Sequence, residues 1–297
     1  MLNTPERDVE LNSRALTGQV AIITGGGRGL GRAFAIALAG VGVAVAVVAR
    51  SAEQVAETVA QITTAGGRAI GLSADVSDRQ AVAQMVSTVE QQLGPVDLLL
   101  NNAGIVSPLG PLWETDPDEW WRSVEINVRS VLLCSHAVLP GMVARRRGRI
   151  INVASGAGTV AIAYGSAYTT SKAAMIRLTE NLALETQAHG VTIFAINPGF
   201  VRTAMSEYLA TSAPGEKWMA WTQTVFDEGQ DVPADYAVAL VLRLAAGDVD
   251  RLSGRFISYN DDLTALVAHV DAIQQGNLYL LRLQNLEGVR PLSVRVV

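Results

Sequence analysis

Four apolar residues, Val20-Ala21-Ile22-Ile23, run directly into Thr24-Gly25-Gly26-Gly27-Arg28-Gly29-Leu30-Gly31 and then into the uncharged segment Ala33 to Ala39. A short apolar run bounded by glycines suits a strand buried on both faces, and the segment beyond it suits a helix. The glycines let the backbone turn tightly and approach a pyrophosphate, while the free amides and dipole of the helix start attract its charge. A glycine run alone marks only a tight turn. Between a strand and a helix it predicts dinucleotide binding.

The alternation continues along the chain. Val43 to Val48, Ala69 to Leu72, Val96 to Leu100, Ile150 to Val153 and Val191 to Ile196 read as strands. Ala52 to Ala65 (stopped by Gly66-Gly67), Arg79 to Leu93, Pro117 to Val143 and Ser166 to Gln187 read as helices. Such alternation predicts an α/β fold: a Rossmann-type doubly wound parallel sheet with helices on both faces. Ligands bind these sheets beyond the carboxyl ends of the strands. The expected organisation is a polar arm over 1–15, one domain over 16–260 and an extension over 261–297. A weakly helical substrate-loop segment over 203–233 lies inside the domain. The uncharged stretch Ala33 to Ala49 reads as helix, turn and strand rather than a membrane span, because Gly40-Val41-Gly42 interrupts it.

Of the 297 residues, 49% are apolar and 17% charged, enough apolar surface for a well-buried core. The net charge of −5 gives no basic footprint for nucleic acid. The one dense basic run, Arg145-Arg146-Arg147, reads as a solvated helix end. The single cysteine, Cys134, rules out a disulfide within the chain and fits a reducing, cytoplasmic compartment. His136, His189 and His269 are scattered without ligand spacing, so no metal site is expected. The N-terminus lacks a signal peptide's apolar core. No nucleic-acid or membrane partner is expected.

The suggestive residues follow the strands. At the end of the second strand, Val48-Ala49-Arg50-Ser51 carries no carboxylate to bind a ribose 2′-OH. Arg50 and Arg28 could face a 2′-phosphate with Ser51 donating a hydrogen bond, which favours NADP(H) and leaves NAD(H) possible. Otherwise both arginines are solvated loop residues. After the third strand, Asp75-Val76 could meet the adenine amino group, or Asp75 could cap a helix ahead of Asp78. Asn101-Asn102-Ala103-Gly104 follows the fourth strand; its small residues could pass close beside the adenosine ribose, or simply turn the chain. Tyr168 and Lys172 lie four apart on a helical segment and share a face. Ser155 follows the fifth strand, and Asn127 lies in the long helix before it.

Taken together, Thr24-Gly25-x-x-x-Gly29-x-Gly31, Asn101-Asn102-Ala103-Gly104, Ser155, Tyr168-x-x-x-Lys172 and Asn197-Pro198-Gly199 resemble the short-chain dehydrogenase/reductase family, in its compact single-domain branch. The match covers roughly 16 to 259 in the family's order and spacing. The resemblance implies a catalytic set of Asn127, Ser155, Tyr168 and Lys172. Tyr168 would be the acid in reduction and the base in oxidation. Lys172 and the oxidised nicotinamide would lower its phenol from about 10. Lys172 would also hold the nicotinamide ribose, Ser155 would stabilise the substrate oxygen, and Asn127 would hold a relay water. The implied cofactor set is Gly25, Gly27, Arg28, Gly29, Leu30, Gly31, Arg50, Ser51, Asp75, Val76, Asn102, Ala103, Gly104, Tyr168, Lys172, Pro198, Gly199, Val201 and Thr203. The implied activity is hydride transfer between nicotinamide and a carbonyl or secondary alcohol carbon, by a homodimer or homotetramer.

Substrate choice should fall to the uncharged loop Gly156 to Ala167, to Phe200, and to a segment holding Met205, Tyr208, Trp218, Met219 and Trp221. These predict an apolar, aromatic or bulky substrate, unless the tryptophans only pack the segment onto the domain. The family pattern usually ends soon after the last strand. Here Asn260-Asp261-Asp262 leads into a tail, where an Asp caps a helix or, less simply, binds a metal. The apolar stretch Leu278 to Leu286 should cover the active-site segment or reach a neighbouring subunit. Two other readings are weighed: a sugar-nucleotide epimerase or dehydratase, for which the tail is too short, and a non-catalytic cofactor sensor, which would not need the Tyr168 set.

Overall fold

The computed structural model describes residues 16–283; the arm 1–15 and the end of the extension, 284–297, lie outside the described residues. The first half alternates as β1 (Val20–Thr24), α1 (Gly29–Gly40), β2 (Ala44–Ala49), α2 (Ala52–Thr64), β3 (Ala69–Ser73), α3 (Arg79–Gln92) and β4 (Leu98–Asn101). Next come α4 (Pro117–Val124), α5 (Ser130–Arg145), β5 (Gly148–Val153), α6 (Ser166–Thr186) and β6 (Val191–Asn197). Four helices then precede the last strand: α7 (Ala204–Thr211), α8 (Ala213–Trp218), α9 (Trp221–Asp227) and α10 (Ala234–Ala246). β7 (Phe256–Ser258) is followed by α11 (Leu263–Ala268) and α12 (Val270–Gln275).

The strands form one parallel sheet in the order β3-β2-β1-β4-β5-β6-β7. The apolar runs are apolar at every position because helices cover both faces. In β1, Ala21 and Ile23 pack with Phe34, Leu38, Leu240 and Leu244 on the side of α1 and α10. Val20 and Ile22 pack with Met85, Cys134 and Met142 on the side of α3 and α5. Order reverses between β1 and β4. At such a switch point neighbouring crossovers part to opposite faces and leave a crevice at the strand ends.

Two expectations need revision, and a third holds with added detail. The long helix from Pro117 is broken at Glu125–Arg129 by one π-helical turn, which places Asn127 at full burial. A π turn inserts one extra residue per turn and so re-aims a side chain, which a 3.6-residue period cannot foresee. The run Arg145-Arg146-Arg147 is exposed at the end of α5, as expected, and is also tethered: Arg145 donates to Val96 O, Arg146 to Ala188 O, and Arg147 pairs with Asp97. The segment 203–233 is clearly helical, folding as α7, α8 and α9. Its helices are too short for a periodic signal, and α7 and α8 start on capping side chains, Thr203 and Ser212.

In the extension, Asp262 caps α11 by accepting from Thr264 and Ala265 N–H, and Asp261 accepts from Ser258 N–H. Beyond α12 the described residues 277–283 run along β7 and α6, and the rest of the expected stretch to Leu286 lies outside the described residues. Phe256 N–H donates to Tyr279 O, Leu281 packs beside α6, and Arg282 grips the buried carboxylate of Glu180 together with Arg177. The guanidinium hydrogen bond from Arg282 holds Glu180 below the ordinary carboxylate range.

Candidate active site

A cavity of about 830 Å³ opens at the carboxyl ends of the strands. Every expected site residue except Asn127 lines it. Its walls come from loops that are far apart in sequence, so the geometry that joins them matters most.

The glycine turn is tied from three sides. Thr24 Oγ1 accepts from the Asn102 and Ala103 amides at 3.0 and 3.1 Å. Asn102 Nδ2 donates to Thr24 O and Gly25 O at 3.0 and 3.3 Å. Arg32 donates to Gly27 O from Nε and Nη2. Asn102 is therefore a clamp on the turn, more than a small residue beside a ribose. The contribution of Arg32 left no mark in the sequence, because its partner is a backbone carbonyl. α1 begins at Arg28 without a side-chain cap, whereas Ser51, Asp78 and Asp116 cap α2, α3 and α4. The first amides of α1 thus remain available to an anion at the cavity wall.

Arg28 and Arg50 are exposed at this end, and among the described residues neither lies in a salt bridge. Ser51 Oγ accepts from Gln54 N–H at 3.3 Å, which leaves its own proton to donate. Asp75 is not the cap of α3; Asp78 is. Asp75 instead accepts from Ser77 N–H at 2.9 Å and Ser77 Oγ at 2.6 Å, and these bonds hold its carboxyl below the usual range.

At the other end, β5 delivers Ser155 and α6 delivers Tyr168 and Lys172. Trp120 Nε1 ties the start of α6 to α4 through Ser166 Oγ at 3.0 Å. Lys172 is buried, and its Nζ donates to Val153 O at 2.7 Å. Burial pushes its pKa down to about 8. Its Nζ lies 5.5 Å from the Tyr168 ring centre. The Tyr168 phenol is not lowered in the protein alone. Burial raises it, and a hydrogen bond with Ser155 offsets only part of that rise. The expected lowering calls on the oxidised nicotinamide as well as Lys172; in the protein alone, desolvation is the larger effect.

Asn127 stands behind this wall. Its Oδ1 accepts from Ile105 N–H at 2.8 Å, and Nδ2 donates to Ile105 O and Ser171 Oγ, each at 2.9 Å. Ser171 is a further participant that the sequence did not flag, since a lone serine between Tyr168 and Lys172 carries no pattern. Of the expected substrate-segment residues, Met205, Met219 and Trp221 line the cavity, and so does Phe200. Tyr208 and Trp218 do not; Trp218 packs on the Tyr164 ring with centroids 4.6 Å apart.

A parallel sheet with this order, a glycine turn against an uncapped helix start and a buried Tyr–Lys pair in one crevice define a nicotinamide-dependent oxidoreductase of the Rossmann type. The short chain dehydrogenase family model matches residues 19–213. A short chain dehydrogenase from Pseudocercospora fijiensis is 36% identical over 282 residues, covering 90% of each chain. A 3-oxoacyl-[acyl-carrier-protein] reductase from Synechocystis is 38% identical over 196 residues, covering 66% of this chain and 79% of its own. The crystal structure of levodione reductase superposes with a TM-score of 0.75 at 30% identity, covering 82% of this chain and 96% of its own. The chain belongs to the short-chain dehydrogenase/reductase family and acts on CH–OH or C=O groups with a nicotinamide cofactor.

Proposed function

We propose that the chain is an NADP(H)-dependent ketone reductase, reversible as an alcohol dehydrogenase, for apolar substrates. One observation carries the reading: a single cavity has Ser155, Tyr168 and Lys172 at one end and at the other the exposed arginines Arg28 and Arg50, neither in a salt bridge among the described residues. Two guanidiniums, with no carboxylate at the end of β2 itself, favour a phosphate over a bare 2′-hydroxyl. Relatives named as reductases of an oxoacyl group and of levodione support reduction of a carbonyl.

The residues would divide the work as follows. The bound nicotinamide supplies or accepts the hydride. Ser155 Oγ–H donates to the substrate oxygen and stabilises the negative charge that develops there. Tyr168 delivers its phenolic proton to that oxygen in reduction and takes one back in oxidation. Lys172, fixed by Val153 O, sets its ammonium beside Tyr168 and would hold the nicotinamide ribose hydroxyls. A charged cofactor ring and this ammonium together would offset the burial that raises the phenol. Asn127 holds Ile105 and Ser171 in place, and a relay water would use the remaining lone pair on its Oδ1. Arg28, Arg50 and Ser51 would read the 2′-phosphate, Asp75 and Val76 the adenine. Gly25 to Gly31, Asn102 to Gly104, Pro198, Gly199, Val201 and Thr203 would enclose the rest.

We also propose a homodimer or homotetramer, which the exposed Leu132 on α5 and Leu184 on α6 support, and a cytoplasmic location, which the single cysteine supports. The domain limits 16–260, with 261–297 as an extension, are part of the same proposal. The test is a calorimetric titration with NADPH and with NADH, repeated on Arg50→Ala. Tighter NADPH binding that falls to the NADH level in the variant is the expected result. Tighter NADH binding by the wild type overturns the phosphate reading and turns the search to NAD-linked alcohol oxidation.

A further inference from the structure

The cavity's charged lining residues are Arg28, Arg50, Asp75 and Lys172. The first three belong to the loops after β1, β2 and β3, at the dinucleotide end. Beyond Tyr168 the lining is mostly apolar, with Val106, Leu109, Ile162 and Met219 around Phe200 and Trp221, and Thr169 and Gln230 as uncharged polar members. Within that wall Trp221 is unusual. It lines the cavity, yet 49% of its surface is uncovered. Uncovered apolar surface on a residue that lines the cavity gains by being covered.

Trp221 is also packed into a cluster of aromatic rings. Its ring rests on Phe200 with centroids 5.9 Å apart, and Phe200 rests on Phe226 at 5.4 Å. The Arg202 guanidinium lies 3.9 Å from the Phe226 ring centre and pairs with Asp231. Phe200 directly follows Gly199, whose amide donates to Asn197 Oδ1 at 3.2 Å. The stack is therefore anchored to the loop that ends β6. The seat of α9 does not depend on the uncovered half of Trp221: Thr222 is fully buried and donates to Met219 O, and Phe226 packs on Phe200 and beneath Arg202.

We infer that Trp221 is the specificity-determining residue of this cavity and selects planar aromatic ketones, whose ring stacks on the indole while the carbonyl reaches Ser155 and Tyr168. The inference rests on the ketone-reductase reading. A rigid aromatic surface loses little entropy on binding, so it favours flat rings over flexible aliphatic chains of similar size. With no cation in this part of the wall, the aromatic substrate should be uncharged.

The test compares 2-acetylnaphthalene with 2-pentanone in wild type, Trp221→Ala and Trp221→Phe. Thermal unfolding and cofactor titration first establish that each variant folds. Trp221→Ala should lower kcat/KM for 2-acetylnaphthalene about tenfold, mainly through KM, as expected for one lost aromatic contact. Trp221→Phe should recover most of that loss, and 2-pentanone should change less than about twofold by the same reasoning. Equal losses for both ketones, or none for 2-acetylnaphthalene, overturn the inference. Equilibrium binding of both ketones to the cofactor-saturated protein separates the two layers. If the wild type binds 2-acetylnaphthalene but reduces neither ketone, the reductase reading fails, and Trp221 stands or falls on whether Trp221→Ala weakens that binding. If the wild type does not bind 2-acetylnaphthalene at all, the inference fails.

Discussion

Replacing Gly31 with alanine would test how the cofactor turn is built. A Cβ at this position would sit 2.1 Å from Gly25 O, 2.7 Å from Gly25 C and 2.5 Å from Asn102 Nδ2. The first distance is more than 1 Å short of an ordinary contact, and the obstacle is backbone, which cannot rotate away. Either α1 withdraws from the turn or Gly25 moves, and Asn102 loses its bonds to Thr24 O and Gly25 O. Overpacking of this kind costs about 1–3 kcal/mol, and each hydrogen bond lost adds about 1 kcal/mol. For a chain of this size the melting temperature should fall by roughly 5–10 °C. The amides at the start of α1 would move with the helix, so nicotinamide dinucleotide affinity should drop more than about tenfold, one charge-assisted hydrogen bond or more. Gly40, at the far end of the same helix, is the control. An added Cβ there meets nothing within 4 Å, so Gly40→Ala should raise stability by about 0.5 kcal/mol and leave binding unchanged. Differential scanning fluorimetry and cofactor titration of both variants decide the matter. A Gly31→Ala protein with unchanged melting temperature and affinity would refute the packing argument.

Tyr168→Phe should keep cofactor binding within a few-fold and lower turnover about 1000-fold, the range for a lost general acid; turnover near the wild-type level in steady-state assays would remove Tyr168 from its role. Lys172→Met tests the energetic cost of the buried ammonium. Its pKa is about 8 in the folded protein against an ordinary 10.5, so between these values the unfolded chain binds more protons and wild-type stability rises with pH. The cost is fully present below pH 8 and is relieved by 10.5. The stability of Lys172→Met relative to wild type should therefore decline by about 3 kcal/mol across that window. Urea unfolding of both proteins from pH 7.5 to 10.5 measures it, and a constant difference would contradict the assigned burial effect.

Much of this protein is legible in its sequence, for reasons tied to particular residues. The all-apolar strands at 20–23 and 43–48 can be accommodated only where both faces are covered, so the parallel sheet follows from composition and order. Glycines at 25, 29 and 31 report backbone geometry directly, because a Cβ is what they exclude. Tyr168 and Lys172 share a face by helical period, and that period survives packing.

Other features were settled only in three dimensions. The π turn at Glu125–Arg129, the clamp from Asn102 and the anchor from Arg32 all involve backbone groups, which carry no residue-type signature. The sequence could not separate Trp218 from Trp221, two aromatic residues three apart. Packing buried one role against Tyr164 and turned the other into the cavity. The described start of the tail, 277–283, could not be placed by its apolar content alone. Its position depends on Glu180, a carboxylate 102 residues away from Arg282 along the chain. The sign of the Tyr168 shift likewise depended on how much water the fold removes, a quantity set by all the surrounding elements at once. Local pattern determines which elements form and what chemistry they carry. Long-range packing decides which side chains meet, how dry they are and what they are free to do.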